Sequence, residues 1–189
     1  MANVLSVVYA VVGFVLMHTA LLVWTALMLP RAVDRARQRL MVHPVISFIW
    51  GLVFFALTLV GIAAYMPLRG VGERMLNDGF QNLATRLEAT RAYGDTWFLI
   101  NVPTWLIAAP ILAGAVVGGA AYSQIFAARA RLLMRTDSPL AALMLGALCT
   151  SLAYFLPFVG WFVFLPLVGL TSIGSGVLGI FSRREFTAR

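Results

Sequence analysis

Four long runs of apolar residues, none containing Asp, Glu, Lys or Arg, constrain this chain more than any other feature of its sequence. They cover residues 4–29, 44–67, 97–122 and 139–182. About 20 apolar residues in a helix are enough to cross the hydrocarbon core of a bilayer. The whole chain is 61% hydrophobic and 11% charged, which leaves too little polar surface for a water-soluble domain. The sequence therefore predicts an all-α integral membrane protein, with residues 1–189 forming a single membrane domain.

The fourth run is twice as long as one crossing requires, and the positions of the arginines indicate how it folds. Three segments, 31–43, 129–137 and 183–189, hold ten arginines and three acidic residues, whereas 68–96 holds four of each. Segments with excess arginine collect on the cytoplasmic side of a membrane. Both ends of the run 139–182 should then lie on that side, so we expect a helical hairpin.

The charge pattern leads to a model with five transmembrane helices. The predicted spans are residues 4–29, 44–67, 97–122, 139–156 and 162–182. In this model the protein lies in the bacterial inner membrane with its N-terminus periplasmic and its C-terminus cytoplasmic. A four-helix arrangement with one kinked final helix is the alternative. The excess positive charge, +7 over the chain, is concentrated in the segments predicted on the cytoplasmic side of the membrane, so we expect no nucleic acid as a partner. We expect the lipid bilayer and other membrane subunits as partners.

Two features are predicted at the outer side of the membrane. The loop 68–96 resembles a short amphipathic outer helix, whose apolar residues at helical spacing are Leu76, Phe80, Leu83 and Leu87. This helix would lie on the membrane surface, contact a partner, or cap its own bundle. The hairpin turn, near Pro157 to Trp161, is rich in aromatic residues that favour the membrane interface. These aromatic residues are Phe155, Phe158, Trp161 and Phe162.

Pairs of small residues four positions apart predict where the helices pack. In lipid, helices associate through close backbone approach, which small side chains permit. The pairs are Ser47 with Gly51, Gly114 with Gly118, Ser172 with Gly176, and Ser175 with Gly179. We expect these positions to form the tight contacts of the bundle.

His18 is the one histidine located deep within a predicted span, and two interpretations of it stay open. In the first, no cofactor is bound and the imidazole makes a hydrogen bond, to Thr19, to Thr25 or to a backbone carbonyl of another span. In the second, the neutral imidazole is an axial ligand to haem iron or to the magnesium of a chlorophyll-type pigment. A single histidine provides one axial ligand within this chain.

No catalytic motif is present, so we expect a protein that is not an enzyme. The chain lacks HExxH, a Walker loop, a GxSxG with acid and base partners, and a Rossmann glycine pattern. Cys149, the single cysteine, is expected to be a small buried hydrophobic residue. A further hypothesis is a small transporter or channel lined by a broken third span. The residues concerned are Asn101, Pro103, Thr104 and Pro110.

Two stretches carry a resemblance to a known family. Residues 27–55, "LMLPRAVDRARQRLMVHPVISFIWGLVFF", form a helix end, a basic segment and a proline that opens the next helix. Residues 135–181 form a hairpin with a PxxGW turn and a glycine-rich return helix. Together they resemble the multi-helix membrane module of bacterial polymer-forming, bactofilin-like proteins. The resemblance implies this helix layout and a role as an inner-membrane anchor, without the β-rich polymerising domain.

These features together favour a non-enzymatic structural or accessory subunit of a larger bacterial inner-membrane complex, such as a respiratory or photosynthetic one. The spans contain no charged residues, while small-residue faces and interfacial aromatics provide contact surfaces. A tetrapyrrole-binding protein that uses His18 is the first alternative, and a transporter or channel is the second.

Overall fold

All the elements of the protein that the structure describes are helical. The computed structural model describes the backbone of residues 2–80, 86–134, 137–156 and 159–181, with side chains at these positions except 2–3, 75–80, 86–97, 99, 134, 159 and 161. The elements are α1 (Ala2–Met28), α2 (Pro30–Val42), α3 (Pro44–Phe80), α4 (Arg86–Met134), α5 (Pro139–Ala153), a π-helical segment (Val159–Phe164) and α6 (Leu165–Phe181).

Four of the described helices are long and apolar enough to cross a membrane. They contain the spans Val4–Met28, Pro44–Arg74, Ile100–Leu133 and Phe162–Phe181. The chain is therefore an all-α membrane protein, as the sequence predicts. A further apolar helix, α5, has 15 residues and is about 22 Å long at 1.5 Å per residue, less than the ~30 Å core of a bilayer.

Helix α5 ends earlier than the predicted boundary at residue 156 because the chain turns after Ala153. The amide of Phe155 donates to the carbonyl of Leu152 at 2.9 Å, and the amide of Leu156 donates to that of Ala153 at 3.4 Å. These short-range bonds replace the i to i−4 pattern of the α-helix. The tight turn immediately precedes Pro157, which has no amide to continue a helix.

The segment 68–96 differs from its prediction as a loop with a separate short helix. In the structure α3 continues to Phe80 and α4 begins at Arg86. An ion pair one helical turn apart, Arg69 Nε to Glu73 Oε1 at 2.8 Å, supports the extension of α3. The side chains of three of the predicted outer residues, and the whole of the fourth, lie outside the described residues. The three are Leu76, Phe80 and Leu87, and the fourth is Leu83.

The basic segment after the first span forms a helix of its own, α2. Pro30 occupies its first turn, where the missing amide costs no hydrogen bond. Its buried residues follow helical spacing and are Val33, Ala36 and Leu40. This face packs against α6, where a Cβ added to Gly179 would lie 2.9 Å from the carbonyl oxygen of Ala32. Next to Leu40, partial burial and the positive charge of neighbouring Arg35 lower the pKa of the Arg39 guanidinium.

The chain divides into two compact units, and the first comprises residues 1–54 and 111–189. In this unit α1 packs against α5 and α2, while α6 packs against α2 and the π-helical segment. Helix α6 also contacts α3 and α4 at glycine positions. Every residue of its middle, from Thr171 to Val177, is buried. Helix α6 is therefore the central helix of this unit.

The contact between α3 and α6 depends on two facing glycines. A Cβ added to Gly174 would lie 2.6 Å from the amide nitrogen of Gly51 and would overlap the carbonyl oxygen of Ser47. A Cβ added to Gly51 would overlap the carbonyl oxygen of Leu170. Because all these neighbours are backbone atoms, no side-chain rotation would relieve the overlap. The backbones of the two helices meet directly at this point.

The contact between α4 and α6 has the same character. A Cβ added to Gly118 would lie 2.5 Å from the Cα of Ser172, and one added to Gly176 would lie 2.9 Å from the Cα of Gly114. Ser172 is buried, and its hydroxyl has no hydrogen-bond partner among the described residues. Ser175 is fully buried, and its hydroxyl donates to the Ser172 carbonyl at 3.2 Å. The small side chains at these positions allow the backbones of α4 and α6 to approach closely.

The second unit, residues 55–110, consists of parts of α3 and α4 that pack on each other. The hydroxyl of Tyr65 donates to the carbonyl of Ile100. A Cβ added to Gly61 would lie 3.1 Å from Cγ2 of Ile107, so these helices too are close at a glycine. This unit contains both prolines of α4, at positions 103 and 110.

The expectation that Cys149 is buried is wrong, since its side chain is exposed. Helix α5 turns another face toward its neighbours. The buried residues of that face are Ala142, Gly146, Ala147, Thr150 and Ser151. The apolar stretch around Cys149 is uniform enough that its sequence alone does not show which face is covered.

Candidate functional site

His18 lies on α1 and makes a hydrogen bond to α5, the helix packed beside it. Its Nδ1 is 2.9 Å from the hydroxyl oxygen of Ser151. The hydroxyl of Thr19 donates to the same oxygen at 3.0 Å, and the Ser151 hydroxyl donates to the carbonyl of Ala147 at 2.9 Å. Three polar groups from two helices thus meet at one serine oxygen.

Two aromatic rings contact the imidazole of His18. The ring of Phe14, one turn earlier on α1, stacks on it with a centroid distance of 5.7 Å and an interplanar angle of 12°. The ring of Tyr154, just after α5, meets it edge to face at 5.5 Å. Tyr154 also contacts Phe164 at 5.3 Å, and Phe155 contacts Phe14 at 5.5 Å, both nearly perpendicular. These contacts restrict the orientation of the imidazole from two sides.

A cavity of about 530 Å³ lies beside this cluster. It is bordered by α1, by the turn after α5 and by the first residue of α6. The lining residues are Ala10, Val11, Phe14, His18, Tyr154, Phe155 and Leu165. Phe14 and Leu165 remain 46% and 53% exposed, so the cavity opens at the outer surface of the helices. Pockets that bind small molecules are typically about 300–1,000 Å³ and mainly apolar, with a few polar groups.

Of the residues that line the cavity, only His18 and Tyr154 carry a polar group in the side chain. The remaining wall is aliphatic or aromatic. A ligand that fits this wall is therefore a largely apolar molecule, with one point of polar or coordinate attachment at the imidazole.

The structure places an interhelical hydrogen bond at His18, as the first sequence interpretation describes, but with a partner that the sequence did not suggest. Thr25, one candidate partner, donates instead to the Leu21 carbonyl of its own helix at 2.7 Å. Thr19 contacts Ser151 rather than His18. Ser151 is 133 residues away from His18. In the sequence, Ser151 is recognisable only as a polar residue within an apolar run. That pattern does not show that Ser151 contacts His18.

Two further polar contacts hold the first unit together away from the cavity. The hydroxyl of Ser123 on α4 donates to that of Thr150 on α5 at 3.3 Å. The hydroxyls of Tyr122 on α4 and Thr171 on α6 are 2.8 Å apart. Through these contacts α4 is hydrogen-bonded to both α5 and α6. They explain buried hydroxyls of the bundle without the need for a ligand.

The small-residue pairs are brought together by the structure in the contacts of α6. Ser47 and Gly51 lie at the contact with α3, whereas Gly114 and Gly118 face Ser172 and Gly176 at the contact with α4. On α6, Ser175 is buried and Gly179 faces α2.

The aromatic residues of the predicted belt lie in different environments. Phe155 lines the cavity, and Phe162 is 75% exposed. The side chain of Trp161, and all of Phe158, fall outside the described residues.

The residues of the transporter hypothesis lie in the second unit, on α4. Asn101, which precedes Pro103, is buried. Thr104, which lies between Pro103 and Pro110, is partly buried. His18 and its cavity belong to the first unit. The hypothesis of a pathway along the third span stays a prediction.

Within the described residues, no group of three or more His, Cys, Asp or Glu side chains is arranged to hold a metal ion. Comparison of the chain with protein-family models, with curated proteins and with solved structures gives no match.

Proposed function

We propose that this protein is a non-enzymatic accessory subunit of a bacterial inner-membrane complex and that it holds an apolar cofactor in the cavity beside His18. The observation that carries the proposal is the cavity of about 530 Å³, apolar in its wall, with a single fixed imidazole. A respiratory or photosynthetic assembly is the type of complex in which such a subunit would work.

The surface of α1 supports a role beside other subunits. Val15, Leu22 and Ala26 are buried within the bundle. The rest of the helix presents large apolar side chains outward, including Met17 at 67% and Trp24 at 58% exposure. This surface suits lipid or the transmembrane helix of a neighbouring subunit. The resemblance to the membrane module of polymer-forming proteins fits an anchoring role of the same kind.

Filling the cavity should remove the cofactor while leaving the fold intact. We expect the full chain, purified from its native membrane in mild detergent, to carry a small apolar molecule that mass spectrometry of an organic extract detects. Ala10→Trp places a bulky ring in the cavity wall and should reduce this molecule at least about tenfold. Ala20→Trp is the matched control, because Ala20 is an exposed residue of the same helix and does not line the cavity.

The same preparation tests the accessory role. Other membrane chains should co-purify with the wild type in reproducible amounts. A protein that purifies with neither a small molecule nor a partner chain would contradict the proposal. Equal loss of the molecule in both tryptophan variants would place its binding elsewhere.

The proposed orientation has its own test. We expect a cysteine introduced within residues 84–92 to react with a membrane-impermeant maleimide in intact spheroplasts, and one within 185–189 to react only after the membrane is opened. The physical reason is the arginine excess of the segments at 31–43, 129–137 and 183–189. The background should be Cys149→Ala, since the native thiol is exposed. Labelling of both positions in intact spheroplasts would refute the orientation.

A further inference from the structure

The hydrogen bonds at Ser151 favour one tautomer of His18, the one with its proton on Nδ1. A serine hydroxyl has one hydrogen to donate and two lone pairs to accept with. The hydrogen of Ser151 goes to the Ala147 carbonyl at 2.9 Å, and one lone pair accepts from Thr19 at 3.0 Å. The remaining lone pair faces Nδ1 of His18 at 2.9 Å. The neutral imidazole then donates from Nδ1, and its own lone pair is on Nε2.

The opposite tautomer fits the site less well. If Ser151 donated to Nδ1, the proton of His18 would be on Nε2, for which no hydrogen bond is found among the described residues. A polar hydrogen without a partner in apolar surroundings is strongly disfavoured, more so than an unused lone pair. The carbonyl of Ala147 would also lose the donor that is at 2.9 Å. Both effects favour the proton on Nδ1.

An imidazole that donates from Nδ1 and has a free lone pair on Nε2 is suited to coordinate a metal. Histidines that bind metals usually donate their other ring N–H to an oxygen, which fixes the ring orientation and the tautomer and raises the basicity of the ligating nitrogen. At this site Ser151 is that oxygen, and Phe14 and Tyr154 restrict the ring from two sides.

The cavity indicates what kind of metal centre this would be. A metal ion bound only by protein side chains needs several of them, whereas a tetrapyrrole supplies four ligands itself and needs one axial ligand. The macrocycle is also flat and largely apolar, which suits a wall of Phe14, Phe155 and Leu165. The open outer side would allow a hydrocarbon substituent to extend into the bilayer.

We propose that Nε2 of His18 is the axial ligand of a metallotetrapyrrole, with iron or magnesium at its centre, and that Ser151 is the positioning residue of this ligand. The inference deepens the proposed function and rests on it, since it specifies the class of cofactor and the atom that binds it.

The test uses the full chain in lipid nanodiscs and three porphyrin probes. The probes are ferric protoporphyrin IX, magnesium protoporphyrin IX and metal-free protoporphyrin IX, and the readout is the absorption spectrum during titration. We expect axial coordination to shift the Soret band of the two metal porphyrins and to make their binding clearly tighter than that of the metal-free ring. The ferric complex should give the electron paramagnetic resonance spectrum of a high-spin iron with one histidine ligand.

Three variants assign the ligand and its positioning residue. His18→Gly should abolish the coordination shift, and added imidazole should restore it. Ser151→Ala should retain the shift but weaken binding of the metal porphyrins about 10- to 100-fold, with little change for the metal-free ring. His43→Ala is the matched control, because it removes the only other histidine of the chain and should change nothing.

The outcomes separate this inference from the proposed function. If all three porphyrins bind equally and His18→Gly has no effect, while Ala10→Trp still blocks binding, the cavity takes an apolar ligand but His18 does not coordinate it. If the three porphyrins fail to bind and the native preparation yields no small molecule, both proposals are wrong.

Discussion

Gly174→Leu is expected to destabilise the membrane bundle by about 3 kcal/mol or more, the upper range for overpacking a tight contact. Position 174 faces the backbone of Ser47 and Gly51, and a Cβ there would already lie 2.6 Å from the Gly51 amide nitrogen. Helices α3 and α6 would have to separate to admit the leucine. We expect the unfolding temperature in detergent, followed by circular dichroism, to fall by about 6–12 °C.

Gly169→Leu provides the matched control for this prediction. It makes the same substitution five residues earlier on the same helix, where a Cβ would meet nothing within 4 Å. The unfolding temperature of this variant should stay within about 2 °C of the wild type. If the two leucine variants prove equally stable, the close contact of α3 with α6 does not exist in the membrane protein.

Val33→Asp is the second substitution with a large expected effect. Val33 is completely buried in the face of α2 that packs on α6. A carboxylate at this position would lose its hydration without gaining a partner, which costs about 3 kcal/mol or more. We expect α2 to leave α6, so that trypsin cuts the purified protein within residues 31–39 much faster than it cuts the wild type.

The control for α2 is Gln38→Asp, which adds the same charge on the exposed side of the same helix. Trypsin should cut this variant at the wild-type rate. Rapid cleavage of both variants would indicate that the charge weakens the helix itself. Slow cleavage of both would mean that the buried face of α2 does not hold it in place.

The long apolar helices could be predicted because their cause is local in sequence. A run such as 44–67 contains no charged residue, and its length alone meets the requirement for a crossing. Helix α2 had a local cause as well, since Pro30 and the spacing of its apolar residues are typical of an amphipathic helix. The high density of arginine in that segment indicates a side of the membrane and does not by itself indicate a helix.

The candidate site could be predicted only in part because it depends on contacts between distant positions. His18 can be recognised in the sequence as a histidine within an apolar span. The tautomer of its ring, however, depends on Ser151, which is 133 residues later. The cavity forms where α1 meets the turn after α5, and that turn begins at Tyr154 rather than at Pro157. No local pattern shows that two apolar segments will leave a space between them.

The central position of α6 has a consequence for biogenesis. In chain order α6 is synthesised after α2, α3 and α4, the helices that surround it. Until residues 165–181 enter the membrane, the small faces at Gly51, Gly114 and Gly118 have lipid rather than a helix beside them. Lipid tails fill such grooves less well than a closely packed helix does. The first unit is therefore completed by its last described helix, and a chain released before that point would lack the close contacts that α6 makes with α2, α3 and α4.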